Sequence, residues 1–141
     1  MKFDIPQHCH VRWQAGLAVL EDLQEDKEAP FSMMRWADLE TIWEKTNGCG
    51  TATCFGGYIS VAPYCQALGF PKHNNGDEAS NWLLNTRYSW WDRNPLHNKL
   101  FHQNLKQKSR AKTLAFLEEQ LKKIFKESTG KNLVAPLTFY I

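Results

Sequence analysis

Three of the four cysteines, Cys49, Cys54 and Cys65, fall within GCGTATCFGGYISVAPYC, residues 48–65, and the fourth, Cys9, stands between His8 and His10. Thiols set among glycine, alanine and threonine admit three chemistries. A nucleophile needs its pKa lowered, and the start of a helix does that through its dipole and free N–H groups. A helix opening at Thr51 would hold Cys54 in its first turn, with His73, His97 or His102 left to serve as base. A zinc site needs four soft ligands, which Cys9, Cys49, Cys54 and Cys65 with His8 and His10 can supply. Packing needs only small, apolar groups where two helices close on one another, and buried cysteine behaves as a small hydrophobe.

Spacing ranks these chemistries. CGTATCFGG bears a loose likeness to the loop-to-helix turn of papain-like peptidases, with a spacing unlike their C-G-S-C-W signature, and no feature selects one histidine as partner. Structural zinc sites favour C-x2–4-C pairs on knuckles, whereas the C-x4-C pair of Cys49 and Cys54 straddles a helix start, which would set the two thiols on different faces. HCH is the feature that favours zinc, because alternate side chains of an extended segment share a side. The glycines, Gly56 and Gly57, lower helix propensity and so require a tertiary reason, and a close helix contact with the small alanines beside them is one. Packing takes precedence. A zinc site built on Cys9, Cys49, Cys54, His8 and His10, and a Cys54 hydrolase or transferase with His97 or His102 as base, remain as alternatives.

A second constellation lies further on. Lys99–Lys112, KLFHQNLKQKSRAK, has five basic residues and no acid, and Tyr88, Trp90, Trp91 and Phe101 lie nearby. Basic charge interleaved with aromatics suits phosphates and stacked bases, or an acidic protein surface. Trp13, Trp36, Trp43 and Trp82 sit at helical spacing and belong to a core. Trp90 and Trp91 cannot both point inward, and exposed tryptophan beside arginine is the composition of an interaction hot spot. Trp90, Trp91, Asp92, Arg93, Lys99, Lys106, Lys108 and Arg110 form the candidate partner surface. No P-loop or G-x-S-x-G pattern is present, and the pairs Asp77/Glu78 and Glu118/Glu119 are explained by helix electrostatics.

Composition sets the frame for both constellations. A chain of 141 residues with 43% hydrophobic and 23% charged content is that of one soluble domain, 1–141. Such a chain can bury roughly 68–70% of its unfolded surface. No apolar run approaches the ~20 residues of a membrane span. Without a secretory pattern, a cytoplasmic location with reduced thiols is the expectation. The net charge of +2 is uneven: residues 1–70 carry five Lys/Arg against nine Asp/Glu, and residues 71–141 carry twelve against six.

Apolar spacing predicts helices over about 10–28 (Val11, Ala15, Ala18, Val19, Leu23), 33–46 (Trp36, Leu39, Ile42, Trp43), 51–62, 77–84 and 109–128 (Leu114, Leu117, Leu121, Ile124, Phe125). Pro63 should kink or end the third, with one further turn over 65–68. Residues 85–108 read as a loop with one helical turn. Glu118–Lys122 and Glu119–Lys123 are spaced as i,i+4 ion pairs. Phe139, Tyr140 and Ile141 are too apolar for a free tail. They suit a short strand beside KFDI or a homo-oligomer contact.

Phe31, Met33 or Met34 and Trp36, then CGTATCFGG, then QALGF with Ala79 and Leu83, resemble an uncharacterised group of small bacterial and phage-type proteins. These carry F-x-M-x-x-W, C-G-T-x-x-C-x-x-G and A-x-x-L-G-L in that order. The resemblance covers roughly residues 10–85. It implies a helical fold and no particular activity. The expectation is therefore an all-α domain of about five helices with a small strand pair joining the termini. Its expected function is that of a non-enzymatic, protein-binding accessory or inhibitory factor, phage or mobile-element encoded by analogy and acting on a host system. The alternatives are the Cys54 enzyme and a nucleic-acid-binding module using residues 99–112. No cofactor, zinc aside, and no membrane are expected.

Overall fold

The computed structural model describes residues 2–29, 31, 54–70, 78–89, 92 and 94–135. The expected helix over 33–46, the apolar tail and Cys49 lie outside these residues. The fold is all-α. Among the described residues there are six α-helices: α1 His10–Glu25, α2 Phe55–Val61, α3 Pro63–Ala67, α4 Glu78–Leu84, α5 Pro95–Leu100 and α6 Arg110–Thr129. Short 3-10 turns at Gln7–Cys9 and Gln103–Leu105 precede α1 and follow α5. The segment KFDI forms no strand; Phe3 N–H donates instead to Ser128 Oγ at the end of α6, at 2.9 Å.

The first helix departs from the expected one-sided stripe. Ala15 to Leu20 are buried without a break, together with Trp13 and Leu23. A helix apolar all round belongs at the centre of a domain. Here α1 is packed by α2, α3, α4 and α6. Its end at Glu25 is earlier than the spacing predicts, since Glu25, Asp26, Lys27 and Glu28 are exposed and acids there oppose the dipole.

Helix α6 follows its sequence. Ser109 caps it, its Oγ accepting from Lys112 N–H, and Gly130 ends it in the left-handed conformation at φ 77°. Its buried face, Leu114, Leu117, Leu121, Ile124 and Phe125, meets α1 along Trp13, whose ring lies 5.9 Å from that of Phe125. Lys122 reaches Glu118 at 3.5 Å, an exposed pair.

Pro63 does more than end α2. Ala62 turns extended and Pro63 becomes the first residue of α3, where its missing N–H costs nothing. Gly69, at φ 93°, then stops α3, and Phe70 N–H returns to Cys65 O. The short α4 has its last carbonyls satisfied from α1. Trp13 Nε1 donates to Leu83 O at 2.9 Å and Arg12 Nη1 to Trp82 O at 2.7 Å, while the Arg12 guanidinium lies over the Trp82 ring. No helix among the described residues is long and apolar enough to cross a membrane.

Candidate functional site

The described part of the cysteine window, residues 54–65, is built as packing. Gly56 faces Phe101 and Ala79, where an added Cβ would lie 3.5 and 3.7 Å from their side chains, and Phe55 stacks on Phe101 at 5.1 Å. On the opposite helix an added Cβ at Gly16 would meet Phe55 and Leu121. Small residues on α1 and α2 thus admit large rings from their neighbours. Trp36, expected in the core, lies outside the described residues.

Cys54 is not in the first turn, as the sequence predicts. It is the residue before α2, in extended backbone, and its Sγ accepts from Gly57 N–H at 3.3 Å. Burial pushes this thiol up, and the amides of Gly57, Cys54 and Gly56, which pull the other way, do not reverse it. Desolvation of the thiolate outweighs what a seven-residue helix can offer. Cys65 is fully buried and pushed up to about 12. Cys9 is buried too, its thiol donating to Trp82 O at 3.9 Å, and burial raises it against the opposing charge of Arg12.

Neither expected base joins Cys54. His97 and His102 sit together beyond α2, their rings 6.0 Å apart, with His97 also 6.5 Å from Phe101. His102 Nδ1 accepts from Asn104 N–H. The Cys54 thiol is bonded to backbone amide, not imidazole. The expected base His73 lies outside the described residues.

The zinc set is not assembled either. HCH is a 3-10 turn running into α1 rather than an extended segment, so its side chains fan out. His8 is exposed, Cys9 buried, and His10 packs edge-on against Phe125 at 5.2 Å. Among the described residues no three His, Cys, Asp or Glu side chains gather as metal ligands.

The partner surface is met in part. Trp90, Trp91 and Arg93 lie outside the described residues. Asp92 is exposed and accepts from Ser89 Oγ at 3.1 Å; Lys106 and Lys108 are exposed and Lys99 is half-buried. Arg110 departs from expectation. Its guanidinium donates to Ala29 O and Asp26 O, each at 2.9 Å, and so ties the chain leaving α1 to the start of α6. It holds two elements together rather than offering its charge to a ligand.

Sequence reasoning missed what shapes this corner. Asn94 is fully buried: its Oδ1 caps α5 by accepting from Leu96 N–H, and its Nδ2 donates to Asn81 Oδ1 at 3.1 Å and Thr86 Oγ1 at 2.9 Å. Asn81 Oδ1 also accepts from Thr86 Oγ1 and Tyr88 N–H, while its Nδ2 donates to Tyr88 O at 2.8 Å. One amide thus holds both main-chain groups of Tyr88, whose side chain is 41% exposed. The available signal was Asn94-Pro95, an N-cap followed by proline at the first helical position. Comparison of the chain with protein-family models, curated proteins and solved structures gives no match.

Proposed function

We propose that this chain is a non-enzymatic binding protein, which engages another protein through the corner between α4 and α5 and the basic edge that follows it. The observation that carries this reading is the Asn81–Thr86–Asn94 cluster. A buried amide is costly unless bonded, and here the bonds of buried Asn94, with those of half-buried Asn81 and Thr86, serve to fix a connection whose Tyr88 and Asp92 face water. A preordered surface loses less entropy on binding than a loose one. Lys106 and Lys108 extend it with positive charge and would favour an acidic partner.

The enzyme alternative loses its support where a thiolate would be needed, since burial raises the three described thiols. The nucleic-acid alternative keeps Lys106 and Lys108 but loses Arg110, which is bonded to backbone. The resemblance to small phage-type proteins extends the proposal by analogy: the partner belongs to a host system, which the chain assists or inhibits.

A photo-crosslinking residue placed at Tyr88, and separately at exposed Glu119 on α6, tests the surface in extracts of cells that make the protein. A discrete adduct from position 88, absent from position 119 and lost with Asn94→Ala, is expected. Equal adducts from both positions would remove the corner as the contact. Cys54 should react with iodoacetamide at pH 7 no faster than free cysteine does; faster reaction would return the enzyme reading.

A further inference from the structure

A second surface lies where α1 ends, beside Arg110. Between the last turns of α1 and the junction of α2 and α3 is a groove of about 280 Å³. Its apolar wall includes Leu23 and Ala62, with the phenol rings of Tyr58 and Tyr64 on one side and the carboxylates of Asp22 and Asp26 on the other. Phe31, outside this lining, packs on Tyr58 with its ring 6.4 Å away.

The carboxylates of Asp22 and Asp26 have no cationic partner among the described residues. Tyr64 O–H donates to Asp22 Oδ2 at 2.8 Å, which fixes that carboxylate against the groove without neutralising it. Asp26 Oδ1 accepts only from Glu28 N–H, at 3.2 Å. The nearby Arg110 is turned to the carbonyls of Asp26 and Ala29. The surrounding stretch, EDLQEDKE over residues 21–28, has five acids and one lysine.

An apolar trough with aromatic faces and unpaired carboxylates complements one chemistry: an alkyl stem that ends in a cation. The acid-rich rim extends beyond the trough, so it complements basic charge on both sides of that stem. The geometry points to a docking site for the lysine or arginine side chain of a basic peptide segment in a partner protein. The stem lies along Leu23 and Ala62, the aromatic rings flank it, and the cation meets Asp22 and Asp26. This surface is separate from the corner between α4 and α5, and its failure would leave that reading untouched.

The test is titration of the full chain, followed by amide and side-chain NMR, with capped alanine pentapeptides carrying lysine or norleucine at the centre. The lysine peptide should shift Tyr58, Tyr64, Asp22 and Asp26 together and saturably, and the norleucine peptide should not. Asp26→Asn, an exposed position whose bond from Glu28 N–H an amide oxygen can keep, should weaken the lysine peptide about tenfold, the loss of one charge-assisted contact. Asp22→Asn should act in the same direction. Equal shifts with norleucine, shifts confined to Glu25 and Glu28, or n-butylammonium binding as tightly as the peptide would each overturn the proposal.

Discussion

The α1–α6 pair and the α4–α5 corner are held by opposite means. Along α1 and α6 the contact is apolar and continuous, from Trp13 against Phe125 through Leu17 and Leu20 to Leu114, Leu117 and Leu121, each at most 1% exposed except Phe125 at 3%. At the corner the holding groups are two asparagines and a threonine, bonded to one another and to the backbone of Tyr88 and Leu96. Apolar packing tolerates exchange of one hydrophobe for another of similar volume, whereas a buried amide cluster fixes one arrangement and suffers if any member is lost. The difference suits their tasks: one region supplies stability, the other a defined surface.

The largest break should come in the apolar region. Trp13 is fully buried and its indole N–H satisfies Leu83 O, so Trp13→Ala leaves both a cavity and an orphaned carbonyl. A loss of about 3–5 kcal/mol is expected from the cavity alone. Urea unfolding followed by circular dichroism measures it. A loss below 1 kcal/mol would mean that α1 is not the centre of the core.

A smaller but more local effect belongs to the corner. Asn94→Ala removes the cap of α5 and strands Asn81 and Thr86, an expected loss of about 2–3 kcal/mol. The informative readout is spectral: the Tyr88 amide should shift and broaden while those of Leu117 and Leu121 stay in place. Asn94→Asp keeps the cap acceptor but loses the donor to Asn81 and Thr86 and buries a carboxylate against Asn81 Oδ1, so it should be at least as destabilised as Asn94→Ala. If both variants perturb α6 as much as Tyr88, the corner is not a separately organised surface.

What the sequence made legible follows from the same contrast. Helix α6 was readable because its leucines recur at 3.6-residue spacing and Ser109 and Gly130 mark its ends. The start of α4 and the packing role of Gly56 were within reach for similar reasons. Helix α5 was not. Pro95–Leu100 is six residues long, with too few turns to show a period, and its cap is a buried asparagine, a type that reads as loop and surface. The surroundings of Arg110 and Cys54 were not visible because local charge and helix position can be read in a sequence, whereas the carbonyls that engage Arg110 and the burial that raises Cys54 come from elements distant in the chain. The groove at the end of α1 was hidden likewise: Asp22 and Tyr64 are forty-two positions apart.

The thiols offer the finest division between the two regions, because they place the cysteine window on the apolar side. The Cys65 thiol is raised from 9.0 to about 12 by burial, so the unfolded chain ionises first as pH increases. The contribution of this thiol to stability is intact below pH 9 and is lost progressively between pH 9 and 12, at about 1.4 kcal/mol per pH unit. Cys9, Cys54 and Tyr58 are raised as well and will steepen the observed curve, so the comparison must be with Cys65→Ala rather than with a flat line. The variant should be less stable than the parent at pH 8 and should lose less on going to pH 10, by about 1.4 kcal/mol. Equal losses would mean that the Cys65 thiol reaches water in the folded chain. The close packing of α3 on α1 would then be wrong at that point, while the asparagine corner, whose bonds are made by amide, hydroxyl and main-chain groups, would be unaffected.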